Sequence, residues 1–472
     1  MPTMPKWLLP LLAILASTGT SLLAQSAQDY NQLAREVFRE LIEIKSTESG
    51  VGSTPAAEAV SRRLLAAGFP AADVHVLGPE ERKKNLVARL HGKGKSKPVL
   101  LLAHLDVVEA RAADWSPDID PFKFIERDGY FYGRGTQDIK DGAAILITNF
   151  IRWKQQGWVP DRDLILALTA DEEGGGANGV AWLLDKHRDL IDAEYCLNTD
   201  AGDFQSKDGK PEVATISAAE KKFGMLQFQT TNRGGHGSLP RKDNAIYQLA
   251  AALERVSAFQ FPVMLNEVTR AQFKATANTV TGQLATDMRA VAQPTPNAAA
   301  VERLSRDPYY NALLRTTCVA TMLEGGHAQN ALPQRAKAEL NCRIVPGHDP
   351  ADVLNSITQA VNDDGVEVTW SYLLPITAPP SALRPDVVSS VERAARRSWP
   401  GVAIIPIMET GATDGRLLRG AGIPTYGVSG VFIDMGDTRS HGRDERIRTK
   451  DFFAGVKFYD EFVNILVGSP QQ

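Results

Sequence analysis

The chain has 472 residues, of which 43% are hydrophobic and 23% are charged, the ordinary balance of a globular protein. Its 52 Lys and Arg residues against 56 Asp and Glu residues give a formal net charge of −4, which excludes a generally polyanion-binding surface of the kind that nucleic-acid-binding proteins use. The length is too great for one compact domain and sufficient for two domains with sizeable cores.

Residues 1–27 have the three parts of a secretory signal peptide. Lys6 supplies a positive charge, residues 7–23 form an apolar stretch, and residues 24–27 are small and suited to cleavage. A membrane anchor is the alternative, but Pro10 and the polar cluster at residues 17–21 leave the apolar run short of a clean span. We therefore expect the mature protein to be soluble and exported, either periplasmic or secreted.

Helical patterns and short apolar strands alternate from residue 29 to about residue 200. Helices are predicted at Asp29–Ile44, Ala143–Arg152 and Val180–Leu190, and strands at Asn85–Leu90, Val99–Ala103, Leu164–Thr169 and Ala193–Asn198. This alternation predicts an α/β layer built on a mostly parallel sheet.

The pattern changes near residue 220, where strands with alternating apolar residues begin. Strands are predicted at Met225–Thr231, Thr316–Leu323 and Ala336–Ile344, and helices at Asn244–Val256 and Asp349–Asn362. The order of these elements predicts a small α+β sandwich with one antiparallel sheet. Residues 264–312 are expected to be a helical elaboration of this inserted domain.

A proline-rich run, Pro375–Pro385, predicts a linker back to the first domain. The chain then continues through the helix Val387–Arg397, the strand Val402–Ile405 and the closing helix Phe452–Val467. We therefore predict a signal peptide at residues 1–27, a catalytic domain in two parts at residues 28–219 and 377–472, and an inserted domain at residues 220–376.

The three cysteines are Cys196, Cys318 and Cys342, which are too few and too scattered for a disulfide framework or a thiolate zinc site. Cys318 and Cys342 could pair with each other. Buried free thiols are the prediction that the sequence favours.

Histidines and carboxylates follow several of the predicted strands. His104 and Asp106 lie two residues apart at the end of the strand in VLLLAHLDVV, so their side chains point to the same side. Asp138 lies in the Gly-rich turn GRGTQDIKDG, ahead of an apolar helix. Each has a simpler interpretation, a polar loop start for the first pair and a helix cap for Asp138.

A run of three acidic residues follows another buried strand. Asp171, Glu172 and Glu173 lie in TADEEGGG and would repel one another unless cations were present, although a solvated acidic turn is an alternative. Asp200 in NTDAGD again follows a strand, and His441 lies in SHGR after a Gly-rich loop. Together these residues place two histidines and three or four carboxylates at one edge of a sheet, where α/β proteins bind ligands. Such a set suits two divalent metal ions about 3.5–4 Å apart.

The series HLDVV, GRGTQDIKDG, DEEGGG, NTDAGD, GGHGS and SHG resembles the co-catalytic zinc hydrolases of metallopeptidase family twenty, which includes aminoacylase, carboxypeptidase S and glutamate carboxypeptidase. The resemblance runs from about residue 30 to the C-terminus. The segment LRTTCVATMLEGGHAQNALPQRAKAELNCRIVPG is most similar to the branch of carboxypeptidase S and the secreted N-acyl-amino-acid hydrolases. The family resemblance implies an α/β fold in which a dizinc hydrolase domain carries an inserted α+β sandwich as lid and dimerisation domain.

The resemblance implies two zinc ions per subunit, with cobalt or manganese as substitutes. By this resemblance, His104 and Asp200 would bind one ion. Glu173 and His441 would bind the other ion, and Asp138 would bridge both.

The resemblance also assigns roles to residues beside the ions. Asp106 would hydrogen-bond the ring of His104 and fix its tautomer. Glu172 would be the general base that takes a proton from the metal-bridging water and passes it to the leaving amine. A cis peptide bond would join Asp138 to Ile139.

In the inserted domain, the resemblance identifies His236 in GGHGS as the donor to the substrate's carbonyl oxygen in the partner subunit's site, which implies a homodimer. Asn330 in QNALP and Arg343 in NCRIVPG would hold the substrate's carboxylate, to which an arginine can bind in bidentate fashion. Gly411 and Thr413 in TGATDG would line the substrate pocket. Simpler interpretations are a turn histidine for His236 and a surface strand residue for Arg343.

The leading functional hypothesis is an exported hydrolase of the metallo-carboxypeptidase or dipeptidase type. It would cleave an amide bond adjacent to a free carboxylate in a small peptide or an N-acyl amino acid, using water activated by two zinc ions. One alternative is an aminoacylase-like N-acyl-amino-acid hydrolase with little peptidase activity. Another is an inactive binding module, against which the intact Glu172 argues. No nucleic-acid partner is expected, nor a membrane partner after signal removal.

Overall fold

The computed structural model describes residues 30–174, 176–374 and 378–468. The predicted signal peptide lies outside the described residues, as do residues 375–377 of the predicted linker. Within the described ranges, no helix is both long enough and apolar enough to cross a membrane.

The helices and strands are numbered in chain order. The strands are β1 (Val74–Glu80), β2 (Lys83–Leu90), β3 (Val99–His104), β4 (Ile125–Arg127), β5 (Tyr130–Tyr132), β6 (Leu164–Thr169), β7 (Tyr195–Asn198), β8 (Phe204–Lys207), β9 (Lys210–Glu220), β10 (Lys222–Thr231), β11 (Gly235–His236), β12 (Thr317–Gly325), β13 (Ala331–Leu332), β14 (Arg335–Ile344), β15 (Val366–Leu373), β16 (Ala403–Glu409), β17 (Thr425–Gly427), β18 (Phe432–Asp434) and β19 (Arg446–Arg448). The helices are α1 (residues 30–43), α2 (Thr54–Ala66), α3 (Lys140–Gln155), α4 (Gly179–Lys186), α5 (Arg188–Ile191), α6 (Ala245–Ala258), α7 (Glu267–Thr276), α8 (Gly282–Val291), α9 (Ala298–Leu304), α10 (Pro308–Leu314), α11 (Pro350–Val361), α12 (Pro385–Ser398), α13 (Gly415–Gly420) and α14 (Thr449–Val467).

A ten-stranded sheet forms the centre of the molecule, with the path β1-β2-β6-β3-β7-β17-β9-β8-β18 and with β16 beside β9. Strand β3 pairs in parallel with both β6 and β7, and β16 pairs in parallel with β9. Antiparallel pairs occur towards the edges, including β1 with β2 and β8 with β9. The α/β fold with a mostly parallel central sheet is therefore confirmed.

Both faces of this sheet are covered, which explains the continuous apolar run in β3. Leu101 packs into the large core under α1, α2, α3, α12 and α14. Leu100 and Leu102 face the other side, where Leu183 of α4 and Leu418 of α13 lie. Because successive strand residues point to opposite faces, a strand buried on both sides is apolar throughout.

A separate four-stranded sheet, β12-β14-β10-β15, is antiparallel at every pairing. Alternate residues of β10 and β14 are buried, including Leu226, Phe228 and Leu340. They pack against α6 and α11 in a core of their own, with Leu249 and Ile357 among the buried residues. The alternating pattern therefore correctly predicts a sheet with one covered face. Asn244 and Asp349 cap α6 and α11, each accepting a backbone hydrogen bond.

Residues 264–312 are helical as predicted, but they pack elsewhere than expected. The buried residues of α7 to α10, among them Phe273, Met288 and Leu313, belong to the large core of the central sheet. Gln272 of α7 accepts a hydrogen bond from the backbone N–H of Met408 in β16, at 3.0 Å. The prediction that this segment elaborates the inserted domain was wrong, because the apolar faces of its helices cover the end of the large sheet instead.

The prediction of three free thiols was wrong for two of them. Cys318 and Cys342 form a disulfide between β12 and β14, and only Cys196 is a free, buried thiol. Antiparallel pairing places Cys318 directly opposite Cys342, with their Cα atoms 4.1 Å apart. The sequence separation of 24 residues hides this proximity, which depends on the register of the two strands.

Candidate active site

The predicted metal ligands meet at the carboxyl edge of the central sheet. His104 is the last residue of β3, while Glu173 and Asp200 follow its two neighbours β6 and β7. Because these three strands are parallel, their carboxyl ends lie side by side. Asp138 precedes α3, and His441 lies in the loop before β19. Residues from both ends of the described chain therefore share one site.

Five side chains form two clusters that share one carboxylate. In the first, His104 Nε2 lies 3.2 Å from Asp138 Oδ1 and 3.7 Å from Asp200 Oδ1. In the second, His441 Nε2 lies 3.0 Å from Asp138 Oδ2 and 2.9 Å from Glu173 Oε1. Each cluster can hold a metal ion, and Asp138 offers one oxygen to each. Imidazole nitrogens with carboxylate oxygens are ligands that zinc and similar divalent ions accept.

The pKa values of the cluster residues reflect a concentration of negative charge. Burial lowers the pKa of His104, but Asp200 and Asp138 outweigh this effect and hold it well above its usual value. Hydrogen bonds to Asp138 and Glu173 raise the pKa of His441 to about 10. Burial raises the pKa of Asp200 to about 7. Carboxylates this close need positive charge between them, and divalent ions can supply it in place of protons.

The ring of His104 is oriented by a backbone group rather than by the predicted carboxylate. Its Nδ1 donates to the main-chain carbonyl oxygen of Asp106 at 2.9 Å, while the nearest carboxylate oxygen of Asp106 is 3.8 Å away. The predicted hydrogen bond between Asp106 and the ring is therefore present, but it is made by the main-chain carbonyl and not by the carboxylate. A carbonyl only accepts hydrogen bonds, so this contact fixes the proton on Nδ1 and leaves Nε2 as the metal-binding nitrogen.

The carboxylate of Asp106 instead holds the turn that carries two other site residues. Its Oδ1 accepts from the backbone N–H of Glu172 at 3.2 Å, and its Oδ2 accepts from that of Glu173 at 3.0 Å. The remaining acid of the run, Asp171, is its first residue, and its carboxylate pairs with Lys83 Nζ at 3.0 Å. The three consecutive acids therefore have three different environments.

Glu172 lies beside the clusters but belongs to neither. Burial, together with the carboxylates of Asp414 and Asp200, raises its pKa well above the usual value. Arg416 Nη1 lies 3.4 Å from Glu172 Oε1. A buried carboxylate whose pKa is raised accepts a proton more readily than an exposed one, which suits a general base.

The predicted cis peptide bond between Asp138 and Ile139 is present. The loop that presents Asp138 is also held by Glu445, a residue that the sequence analysis did not single out. Glu445 Oε1 accepts from the backbone N–H groups of Gln137 at 2.7 Å and Asp138 at 3.2 Å. Glu445 Oε2 accepts from Gly135 N at 3.1 Å and from Arg134 Nη1 at 2.6 Å.

Glu445 therefore connects the loop of Asp138 to the loop of His441. Its side chain is fully buried, and it lies four residues after His441 in SHGRDE. An acidic residue four positions after a predicted metal ligand is the one signal that could have identified Glu445. The sequence does not indicate the four hydrogen-bond donors that surround its carboxylate.

We expect Glu445→Gln to lower metal affinity about 10–100-fold, the usual cost of losing a group that orients metal ligands. Each Glu445 oxygen accepts two hydrogen bonds, so an amide NH₂ of the same size would face two donors. Equilibrium dialysis against a metal buffer measures the change. Glu461→Gln is the matched control, because Glu461 pairs with Arg397 near the surface. Unchanged metal affinity in Glu445→Gln would show that the residue only fills space.

Gly411 and Thr413 lie where the sequence predicts, on the wall of the cavity that contains the metal-ligand clusters. The cavity has a volume of about 1020 Å³. The hydroxyl of Thr413 donates to Glu220 Oε1 at 2.8 Å and accepts from Asn198 Nδ2 at 3.1 Å.

The three predicted substrate-binding residues of the inserted domain, residues 220–376, do not join this site within one chain. Among the described residues that line the cavity, none is His236, Asn330 or Arg343. His236 is exposed on β11, opposite Ala331, and its Nδ1 lies 2.7 Å from the hydroxyl of Ser238. Asn330 is its neighbour, through a hydrogen bond from Gly237 N to Asn330 O. Arg343 lies over the ring of Phe223, 4.9 Å from its centroid.

The fold and the two ligand clusters define a metal-dependent amide hydrolase. Residues 100–465 match Peptidase family M20/M25/M40, and the chain belongs to this family. The predicted family is thereby confirmed, and the relatives that follow match the predicted branch.

Relatives of known sequence include the N-fatty-acyl-amino acid synthase/hydrolase PM20D1 of Homo sapiens, 30% identical over 382 residues that cover 78% of this chain and 74% of the human protein. The probable carboxypeptidase S-like 2 of Dictyostelium discoideum is 28% identical over 372 residues, which cover 77% of this chain and 70% of the Dictyostelium protein. Among solved structures, the M20 family metallo-carboxypeptidase Sso-CP2 from Sulfolobus solfataricus has a TM-score of 0.68 at 17% identity, covering 92% of this chain and 99% of its own. Human carnosine dipeptidase 1 has a TM-score of 0.65 at 15% identity, and the match covers 94% of this chain and 97% of the human chain. The two structures support the fold.

Proposed function

We propose that this protein hydrolyses an amide bond next to a free carboxylate, in an N-acyl amino acid or at the C-terminal end of a peptide. The observation that carries the proposal is the pair of ligand clusters joined through Asp138. His104 and Asp200 would hold one zinc ion, Glu173 and His441 the other, and Asp138 both. When bound, the two ions would polarise the substrate's carbonyl group and make water more acidic.

The residues of the chain would perform the remaining steps. Glu172 would take the proton of the attacking water, a step that its raised pKa favours, and would later pass that proton to the leaving amine. His236 would donate a hydrogen bond to the developing oxyanion. Arg343, assisted by Asn330, would bind the free carboxylate, because its planar guanidinium can form two parallel hydrogen bonds with it.

The names of two relatives point to different groups on the acyl side of the amide bond. The human relative's name describes an N-fatty-acyl-amino acid synthase/hydrolase, whereas the Dictyostelium relative's name describes a probable carboxypeptidase S-like protein. An aminoacylase-like activity with little peptidase action is therefore the second candidate. Both reactions leave a free carboxylate on the amine product and use the same residues.

A panel of N-acyl amino acids, dipeptides and their amidated analogues tests the proposal on the zinc-loaded protein. We expect hydrolysis of substrates with a free carboxylate and weak hydrolysis of the amidated analogues. Arg343→Ala would raise KM for the substrates with a free carboxylate. It would thereby narrow the difference in hydrolysis rate between these substrates and their amidated analogues. Absence of hydrolysis across the panel by protein with confirmed metal content would overturn the proposed activity.

The proposal includes a homodimer formed through the four-stranded sheet β12-β14-β10-β15. Strand β12 is an edge strand whose apolar side chains Val319, Met322 and Leu323 are 61%, 63% and 71% exposed. An edge with exposed backbone groups and apolar side chains is suited to pairing with a second chain. A second copy of this chain would cover it. His236, which lies outside its own subunit's cavity, would then reach the partner subunit's site.

A mixing experiment tests the role of His236 across the interface. His236→Ala alone should lower kcat about 10²–10³-fold, the usual cost of losing an oxyanion donor. Mixing subunits that carry His236→Ala with subunits that carry Glu172→Ala should restore part of the activity, because each mixed dimer has one site with both groups. Each variant incubated alone is the control. No recovery in mixed dimers verified by mass would place His236 in its own subunit's site or outside catalysis.

We also propose that the protein is exported. The disulfide between Cys318 and Cys342 supports this, because disulfides persist in periplasmic and extracellular compartments and are rare in the cytosol. Expression of the full chain, cell fractionation and N-terminal sequencing of the product test it. We expect a mature N-terminus near residue 28. An unprocessed chain retained in the cytosol would refute the proposal.

A further inference from the structure

The carboxylate of Glu172 is not fixed by the main chain of its turn alone. The backbone N–H of Glu172 donates to Asp106 Oδ1 at 3.2 Å, which holds the turn. The carboxylate lies three rotatable bonds further out, and rotation about these bonds can carry it away from the ligand clusters. A general base must lie within hydrogen-bond reach of the proton that it takes, so Glu172 needs a second contact that orients its side chain.

One arginine makes that contact. Arg416, the second residue of α13, places its Nη1 3.4 Å from Glu172 Oε1. In the part of the chain that the structure describes, no other lysine or arginine forms an ion pair with Glu172. The side chains of Arg416 and Glu172 are only 16% and 12% exposed. Water and salt screen such a pair less than a pair on the surface, so their attraction can hold both side chains in place.

Negative charge surrounds Glu172 on its other sides. Burial and the carboxylates of Asp414 and Asp200 raise the pKa of Glu172, whereas the nearby guanidinium lowers it. Asp414 is itself fixed, because its Oδ1 accepts a hydrogen bond from Asn178 Nδ2 at 2.6 Å. Repulsion from these carboxylates and attraction to the single guanidinium of Arg416 together favour one position of the Glu172 carboxylate.

The guanidinium of Arg416 is anchored to the loop before α13. Its Nη1 donates to the main-chain carbonyl oxygen of Thr413 at 2.6 Å, and the backbone N–H of Arg416 donates to the same oxygen at 3.2 Å. Glu220 holds this loop in turn, since it accepts from the backbone N–H of Thr413 at 3.1 Å and from its hydroxyl at 2.8 Å. An anchored side chain loses little entropy when it orients another group.

We infer that Arg416 is a positioning residue for Glu172, whose carboxylate it holds in the orientation that accepts the proton of the attacking water. This inference rests on the proposed amide hydrolysis and adds a residue that belongs to neither ligand cluster. The loop that carries Thr413 on the cavity wall thereby acquires a second role, since it also anchors the group that orients the base.

Kinetics of the zinc-loaded protein test the inference, with the substrate of the N-acyl amino acid and dipeptide panel that the wild type cleaves fastest. We expect Arg416→Ala to lower kcat about 10–100-fold and to change KM less than about twofold, because a misplaced base affects the chemical step and not substrate binding. Its zinc content should be unchanged. Arg416→Lys keeps the positive charge and should recover part of the loss. Arg416→Gln replaces Arg416→Ala if the latter does not fold.

Arg397→Ala is the matched control, because Arg397 also pairs with a glutamate, Glu461, but near the surface. It should leave kcat unchanged. A rise in KM without loss of kcat in Arg416→Ala would overturn the inference. It would show that Arg416 binds an anionic group of the substrate from a second cavity, of about 250 Å³, which it lines together with Lys221 and Lys222. Loss of zinc together with activity would also overturn the inference.

A double-mutant cycle tests whether Arg416 acts through Glu172. In a protein that already carries Glu172→Ala, Arg416→Ala should lower kcat less than about twofold further, because the group that it orients is absent. If Arg416→Ala lowers kcat by the same factor with and without Glu172, the two residues act independently and the inference fails.

Crystal structures of the zinc-loaded wild type and Arg416→Ala provide a readout that does not depend on activity. We expect the Glu172 carboxylate to occupy one position in the wild type and to move in Arg416→Ala, while the main chain of its turn stays in place. If no substrate is hydrolysed but this displacement is found, the proposed function fails and the positioning role stands. If the wild type hydrolyses its substrate, and Arg416→Ala keeps both its kcat and the position of Glu172, the positioning role fails and the proposed function stands.

Discussion

Glu172→Ala is expected to lower kcat about 10²–10⁴-fold while the protein keeps its full metal content. Glu172 lies beside the two ligand clusters without belonging to either, and burial raises its pKa well above the usual value. Its loss would remove the acceptor of the water proton and the donor to the leaving amine. Steady-state kinetics and elemental analysis of the same preparation measure both quantities.

Glu173→Ala is the matched control for Glu172→Ala, because the two residues are neighbours on one turn held by Asp106. Glu173 lies 2.9 Å from His441, so its variant should lose metal as well as activity. If Glu172→Ala loses metal and Glu173→Ala keeps it, the roles of the two residues have been exchanged.

Removal of metal should abolish hydrolysis, and zinc or cobalt should restore it. Without divalent ions, the positive charge within the two clusters is that of protonated His104 and His441, which face the carboxylates of Asp138, Glu173 and Asp200. Those histidines must release their protons to bind metal, so metal affinity should fall as the pH is lowered. Activity is measured after dialysis against a chelator and again after addition of each ion.

Titration of the metal-free protein with zinc should restore activity with two ions per subunit. A chelated protein that remains fully active, with loss of metal confirmed by elemental analysis, would refute the metal-dependent mechanism. A variant such as Asp138→Ala should resist restoration by either ion, since Asp138 is the one residue shared by both clusters.

The sequence predicts best those features that depend on local pattern. The apolar runs of β3 and β6 are buried on both faces, and their lengths follow directly from the runs. His104, Glu173 and Asp200 lie at or just after the ends of three neighbouring parallel strands, which brings them together, whereas the full ligand set with Asp138 and His441 was implied by the family resemblance. The cis peptide bond after Asp138 was accessible only through the family resemblance.

The features that the sequence does not predict depend on contacts between distant segments. The pairing of Cys318 with Cys342 follows from the register of β12 and β14, which no local pattern reveals. Asp106 contacts backbone groups of a turn that lies far along the chain, so its carboxylate serves a different partner from the one expected. Glu445 was missed for the same reason, because its four donors come from residues 134–138.

The distribution of the ligands along the chain has a consequence for biogenesis. His104 ends an early strand, β3, whereas His441 and Glu445 lie close to the C-terminal helix, with the whole four-stranded sheet between them in the sequence. Contacts between such distant segments form late, because the long intervening loop must be closed first. The second ligand cluster, which contains His441, therefore cannot be completed until nearly the entire polypeptide has been synthesised. An ion bound there would act as a cross-link between the first and last thirds of the chain, and would protect the folded protein from unfolding and proteolysis.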